Sequence, residues 1–106
     1  MIIKQFRYYD EANYRQLNQP SNITIEQLQS GEPFFGIICD EIKIKTLPGV
    51  SIVVNGTNVL IGETGTYEIP YREKVQITNL KVTSGLDLIS NNPKAYFIVT
   101  FIQNEG

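Results

Sequence analysis

Carboxylates are the main side chains in this sequence that could do acid–base chemistry. The 106 residues include no histidine and one cysteine, which excludes a Ser-His-Asp site, a Cys-His site and a thiolate zinc cluster. A glycosidase needs two carboxyls facing each other across a cleft at about 5–10 Å. The carboxylates that could supply them are Asp10, Glu11, Asp40, Glu41, Glu63, Glu68 and Glu73. Carboxylates at the strand ends of small β domains are usually solvated, and no Asp-rich calcium loop is present, so we expect no enzyme, no cofactor and no metal. A hydrolase with two facing carboxyls is the alternative that the sequence leaves open.

The single cysteine, Cys39, closes the apolar run at residues 34–39. A reactive thiol needs a nearby base to form the thiolate, and the sequence has no histidine to provide it. Free cysteine otherwise behaves as a small buried hydrophobe. We therefore predict a buried, structural Cys39.

Tyrosines near the N-terminus mark a first candidate binding segment. Residues 8–22 are polar and include Tyr8, Tyr9, Tyr14 and Arg15. Tyrosine is enriched at protein interfaces because it combines a large contact area with a polar tip. A segment of this length is longer than an ordinary hairpin loop. We predict a contact arm here, with a long loop packed on its own sheet as the alternative.

A second candidate patch lies later in the chain, at Tyr67, Glu68, Tyr71 and Glu73. Aromatic rings beside carboxylates can bind a protein partner or a glycan, although the absence of tryptophan weighs slightly against glycans. The alternative is that these tyrosines only straddle the core and the solvent.

The charge distribution argues against nucleic-acid and membrane partners. The formal net charge is −2, and the lysines and arginines are scattered, whereas phosphates and anionic membranes are bound by basic patches. The apolar runs fall far short of the roughly 20 residues that span a bilayer. The first residues become charged too soon for a signal peptide. We expect a protein made in a cytoplasm that contacts other proteins.

Short β-strands are the elements that must position these side chains. Ile, Val, Thr, Tyr and Phe recur, which favours pleated, half-buried surfaces. Residues 2–9 predict a first strand, and 42–46 alternate isoleucine with lysine as a half-buried strand does. The apolar run at 34–39 predicts a strand buried on both faces. The nearly apolar stretch 96–102 predicts a central final strand.

Turn residues divide these strands. Asn55-Gly56 between two β-prone runs is a strong hairpin signal, because both turn positions accept positive φ. The glycines of residues 62–65 mark a further turn. The strand at 66–69 that follows it is expected to end at Pro70.

The hydrophobic alternation changes phase between two later stretches. Val75 and Ile77 share one phase, whereas Leu80 and Val82 share the other. A strand with one buried face cannot run straight through such a change. We therefore predict a bulge or bend at Thr78-Asn79, as where a strand crosses from one sheet to another.

Helical signals are few and short. Thr24 and Gln27 have the spacing of a capping box; Gly31 is expected to end that helix, and Pro33 to prevent its return. Residues 85–91 are compatible with one further helical turn.

Seven or eight short strands at regular spacing predict an all-β fold. We expect a small antiparallel β-sandwich, Ig-like or jelly-roll-like, with one or two very short helices and a single domain over residues 1–106. The strand order stays open, because strand pairing is not visible in one sequence.

Several segments follow one another in a recognisable order: FRYYDE, NQPSNITIEQLQSGEPF, IKTLPGVSIVVNG, IGETGTYEI, VQITNLKV and NNPKAYFIVTFI. This order resembles a small module found among the virion structural genes of phages and prophages of gut-type Firmicutes. That module has an LPG…NG…IGxTGxYE stretch before an ITSL-like strand and a terminal NNPxAYxIVD strand. The pieces that match are Leu47, Pro48, Gly49, Asn55, Gly56, Ile61, Gly62, Thr64, Gly65, Tyr67, Glu68, residues 77–80 and residues 92–99. Thr100 departs from the module, which has an acidic residue there.

The resemblance covers most of the chain and implies a virion component, such as a capsid decoration or a neck or tail-tip part. Its partners would be capsid or tail proteins, with this chain present as a homo-oligomer or in many copies on a symmetric lattice. The shared motifs are turn and strand signatures, so no functional residue is carried over. The alternative is a carbohydrate-binding module that contacts host cell-surface glycans through the second patch.

Overall fold

The computed structural model describes residues 2–9, 20–85 and 96–104. Residues 10–19 of the predicted arm and most of the predicted helical turn at 85–91 lie outside the described residues. The elements in chain order are β1 (Ile2–Tyr9), β2 (Pro20–Asn22), α1 (Ile25–Ser30), a 3-10 turn (Glu32–Phe34), β3 (Ile38–Thr46), β4 (Ser51–Val54), β5 (Thr57–Leu60), β6 (Thr66–Gln76), β7 (Leu80–Ser84) and β8 (Tyr96–Gln103).

These strands form two sheets of a small sandwich. One sheet has the order β2-β1-β8-β3-β6 and the other the order β5-β4-β7. Neighbouring strands are antiparallel except for β1 and β2, which are parallel. The architecture confirms the predicted mainly antiparallel all-β sandwich with very short helices. It also confirms that the final strand is central, because β8 lies in the middle of the five-stranded sheet.

Three phenylalanines from separate segments build one part of the core. Phe6 of β1 contacts Phe34 of the 3-10 turn in an edge-to-face arrangement with ring centroids 5.3 Å apart. Phe101 of β8 lies 5.9 Å from Phe6 and 6.0 Å from Phe34. Such aromatic pairs contribute about 0.5–1.5 kcal/mol beyond the burial of their area. The cluster therefore anchors the 3-10 turn to the five-stranded sheet.

The helix begins and ends where the sequence predicts. Thr24 Oγ1 accepts from the Gln27 backbone N–H at 3.2 Å, and Gln27 Oε1 accepts from the Thr24 N–H at 3.1 Å, which is the predicted capping box. Gly31 ends the helix with φ 78°. A Cβ at Gly31 would also lie 2.7 Å from the carbonyl oxygen of Leu80 on β7, so this glycine serves both the cap and the packing of α1 on β7.

The prediction of a buried strand over residues 34–39 is wrong. Phe34 ends the 3-10 turn and is fully buried, whereas the next residue, Phe35, is 72% exposed. A further turn follows at Gly36, with φ 86°, and β3 starts after it. A short apolar run has the same appearance whether it forms a strand or a compact turn.

The predicted change of sheet between β6 and β7 is confirmed. β6 belongs to the five-stranded sheet and β7 to the three-stranded sheet. The three residues between them, 77–79, are not in a strand. Because the chain leaves one sheet and enters the other here, the phase of the hydrophobic alternation can change without exposing the core.

The hairpin residue Asn55 also stabilises this crossing. It has φ 49° in the turn between β4 and β5, as the sequence predicts. Its Oδ1 accepts from the backbone N–H groups of Thr78 at 2.8 Å and Asn79 at 3.4 Å. Its Nδ2 donates to the Gln76 carbonyl at 3.1 Å, and its own N–H donates to the Asn79 carbonyl at 2.6 Å. The Asn55 side chain thus connects the β4–β5 hairpin of the three-stranded sheet to the residues where the chain leaves the five-stranded sheet.

Pro70 does not end its strand, contrary to the prediction, because β6 continues to Gln76. The pairing with β3 is irregular there: Glu41 pairs with Pro70, but Cys39 pairs with Val75. Proline is tolerated at strand edges and bulges, where its missing N–H costs no ladder hydrogen bond. β6 is an edge strand with irregular pairing at this point, so it can contain the proline and continue.

Candidate interaction surfaces

The outer face of the five-stranded sheet carries mostly polar side chains. Successive strand residues point to opposite faces, and Phe6, Val99 and Ile44 lie side by side on the core face. Their strand neighbours form two rows on the outer face. One row is Gln5, Thr100, Lys43 and Glu68, and the other is Arg7, Ile98, Lys45 and Thr66.

A cavity of about 250 Å³ is lined by most of these outer-face residues. Gln5 is buried, and its Nε2 donates to Thr100 Oγ1 at 3.2 Å, while no donor in the described part of the chain reaches its Oε1. Lys43 Nζ lies 3.9 Å from Glu41 Oε1, an exposed pair of the kind that stabilises little. The cavity therefore offers hydroxyls, an amide and charges of both signs, which suit a polar group.

The second predicted patch is divided by the pleat of β6. Glu68 lines the outer cavity, but its neighbour Tyr67 is half-buried and packs against the core. Tyr71 and Glu73 also lie on β6, in the stretch between Pro70 and Val75 where its pairing with β3 is irregular. Adjacent strand residues face opposite sides, so the structure does not bring Tyr67 and Glu68 into one binding surface.

The first predicted segment starts later than expected. Tyr8 and Tyr9 belong to β1, which is the predicted first strand, and Tyr8 packs against the core. Tyr14 and Arg15 lie outside the described residues. Residues 20–22 pair with β1 as the short parallel strand β2.

The buried polar residues Gln5 and Arg7 were missed by sequence reasoning. They are 7% and 4% exposed, although they lie on the outer face. The alternation of Gln5 and Arg7 with the aromatic residues Phe6 and Tyr8 could have shown that both polar side chains lie on the outer face of the sheet, opposite the core.

Cys39 is buried, as predicted, and its Sγ lies 3.7 Å from the Val75 carbonyl oxygen. Burial, with a smaller contribution from the negative charge of Asp40, raises the pKa of the Cys39 thiol to about 11. A thiol that is neutral at physiological pH is a poor nucleophile.

We expect the folded protein to react with a thiol reagent at pH 8 at least about 100-fold more slowly than the unfolded chain. The raised pKa means that the folded state binds the Cys39 thiol proton more tightly than the unfolded chain does. The free energy of unfolding therefore does not depend on this group below pH 9, and it falls as the pH rises toward about 11. Absorbance-monitored labelling with and without denaturant measures the difference. Equal labelling rates in the two states would contradict a buried Cys39.

Strand β5 forms an open edge of the three-stranded sheet. It pairs with β4 on one side, and no other strand of the described ranges pairs with its second side. Its sequence, Thr-Asn-Val-Leu, contains no proline and no charge. Leu60 at its end is 70% exposed. An uncharged edge with free backbone groups is a template for pairing with another chain.

Other chemistry is not visible in the part of the chain that the structure describes. No group of three or more His, Cys, Asp or Glu side chains there is arranged to hold a metal ion. Among the described residues, no helix combines the length and apolar character required to cross a membrane. Comparisons with protein-family models, with curated proteins and with solved structures find no match to this chain.

Proposed function

We propose that this chain is a structural or accessory protein of a bacteriophage virion and that it acts by binding other proteins, not by catalysis. Its place in the particle is the capsid surface, as a decoration, or the neck or tail tip. The observation that carries the proposal is the open, uncharged edge of β5, which leaves backbone donors and acceptors available to a partner. The resemblance of the turn and strand motifs to the phage module points to the same setting.

The hairpin that presents this edge is held on two sides. β4 pairs with β5 and also with β7. Asn55 in the turn is bonded to the crossing between the sheets at Thr78 and Asn79. A binding edge that is ordered before the partner arrives loses less conformational entropy on binding. This arrangement therefore suits a protein that docks as a rigid unit.

The carbohydrate-binding alternative has less support. It requires aromatic rings and carboxylates on one surface, but Tyr67 and Glu68 lie on opposite faces of the sheet. The cavity beside Glu68 is lined by aliphatic, hydroxyl, amide and charged side chains, with no aromatic ring among the described lining residues. Glycan recognition relies strongly on aromatic platforms, so protein contact is the function we favour.

The proposal predicts that the chain is a stoichiometric part of phage particles. Particles are purified from a culture that makes this chain, first on a density gradient and then by size exclusion, and their proteins are quantified by mass spectrometry. We expect several copies per particle, at a constant ratio to the major capsid protein through both steps, because virion proteins occupy symmetric positions. A chain that stays with unassembled proteins in both steps would refute the proposal.

A further inference from the structure

We propose that β5 pairs antiparallel with β5 of a second copy of this chain, which joins two three-stranded sheets into one continuous six-stranded sheet. This inference rests on the proposed function and deepens it, because it identifies one of the partners as the chain itself.

The hairpin geometry determines which groups of β5 point outward. In a two-residue hairpin the residues next to the turn form a hydrogen-bonded pair, and such pairs then alternate with non-hydrogen-bonded ones. Val54 pairs with Thr57, and Ile52 with Val59, so Thr57 and Val59 direct their backbone groups toward β4. Asn58 and Leu60 then direct their N–H and C=O groups away from the sheet.

The other described strand edges carry features that prevent pairing. β2 is three residues long and contains Pro20. β6 contains Pro70 and the exposed charge of Glu68. The outer side of β7 is approached by the end of α1, since a Cβ at Gly31 would meet the Leu80 carbonyl. Charges, proline and covering segments are the usual protection of sheet edges, and among the residues that the structure describes β5 has none of them.

One register uses all the outward groups of β5. With Val59 on the two-fold axis, Asn58 of each chain pairs with Leu60 of the other, which gives about four inter-chain hydrogen bonds. Val59 then faces its own copy in a non-hydrogen-bonded pair, where side chains lie closest and β-branched pairs are favourable. Val59 is half-buried against the core, so the second copy would extend that apolar contact.

The interface is small, and the isolated pair is correspondingly weak. Four residues on each side bury less than the roughly 1,000 Å² of a stable complex. Weak two-fold contacts become effective when many copies are held on one lattice, because each further contact is then intramolecular. The inference therefore needs a test that captures a weak, transient pair.

A disulfide across the two-fold axis provides this test. In the proposed register, cysteines at position 59 of two chains have Cβ atoms about 4.5–5.5 Å apart, close to the span of a disulfide. Under mild oxidation we expect Val59→Cys to form a species of twice the 12.0 kDa monomer mass. The control is Phe35→Cys, which lies outside β5 and is 72% exposed, so it is more accessible to random collision than the half-buried Val59. Val59→Cys should cross-link at least about tenfold faster than Phe35→Cys, because association raises the effective thiol concentration.

A second substitution tests the backbone pairing itself. Asn58→Pro removes an outward N–H and is compatible with an edge strand; combined with Val59→Cys it should reduce cross-linking to the rate of the Phe35→Cys control. If circular dichroism shows that the proline variant is unfolded, Leu60→Lys replaces it, because a charge opposes edge pairing.

Equal cross-linking rates for Val59→Cys and Phe35→Cys would overturn the inference, and so would fast cross-linking that a folded Asn58→Pro or Leu60→Lys variant leaves unchanged. The proposed function fails separately. A chain absent from purified particles refutes the virion assignment whatever the cross-linking result, whereas a virion chain without edge pairing refutes only this inference.

Discussion

Replacing Phe34 with alanine is expected to lower the free energy of unfolding by about 3–5 kcal/mol. Phe34 is fully buried, and its ring packs against Phe6 and Phe101. Truncation leaves a cavity where the 3-10 turn meets the five-stranded sheet, and the aromatic contacts cannot be replaced by a methyl group. The measurement is urea unfolding followed by far-UV circular dichroism, since the chain has no tryptophan.

The neighbouring residue is the matched control. Phe35 has the same side chain and the next position in the sequence, but it is 72% exposed. Phe35→Ala should change the free energy of unfolding by no more than about 0.5 kcal/mol. A buried strand over residues 34–39 would instead make both substitutions costly. Equal destabilisation by the two variants would therefore contradict the 3-10 turn.

Replacing Asn55 with alanine is expected to lower the free energy of unfolding by about 2.5–6.5 kcal/mol. The side chain accepts from two backbone N–H groups, at Thr78 and Asn79, and donates to the carbonyl of Gln76. Each such hydrogen bond contributes about 0.5–1.5 kcal/mol net, and alanine is also strained at positive φ by about 1–2 kcal/mol. The same urea unfolding experiment measures the change.

Asn55→Gly separates the two contributions. Glycine accepts the φ of 49° at no steric cost, so this variant loses only the side-chain hydrogen bonds. It should be more stable than Asn55→Ala by about 1–2 kcal/mol and still less stable than the wild type. A glycine variant as stable as the wild type would show that the link between the hairpin and the sheet crossing contributes nothing.

The Asn55 side chain also affects the proposed binding edge. The turn that contains Asn55 connects β4 to β5, and its side chain holds this turn against the crossing at residues 77–79. Loss of that link should loosen the end of β5 before it unfolds the sandwich. In the Val59→Cys background, Asn55→Gly is therefore expected to slow inter-chain cross-linking while the far-UV spectrum stays native.

The sequence alone determined the features that depend on neighbouring residues. The capping box at Thr24 and Gln27, the left-handed Gly31 and the Asn55-Gly56 turn each follow from the conformational preference or short-range hydrogen bond of a few consecutive residues. The change of sheet near Thr78 was also predictable, because a phase change in the alternation exposes the core unless the strand bends. These local constraints hold in almost any tertiary context.

Tertiary structure decided the features that depend on what surrounds a segment. The sequence could not show whether Phe34 and Phe35 share a strand, because an apolar run does not reveal which segments pack against it. In the folded chain Phe34 packs against Phe6 from the 3-10 turn. Pro70 could stay inside a strand only because β6 is an edge, and strand order is invisible in the sequence.

The arrangement of the strands also determines which side chains share a binding surface. Tyr67 and Glu68 are adjacent in the chain but separated by the pleat, and which side of β6 is the core is decided by the second sheet. The sequence predicts the β4–β5 hairpin, but only the assembled sheets show that no other strand in the described ranges pairs with the outer side of β5. An edge is a property of the arrangement of strands, so the proposed contact could be recognised only in the folded chain.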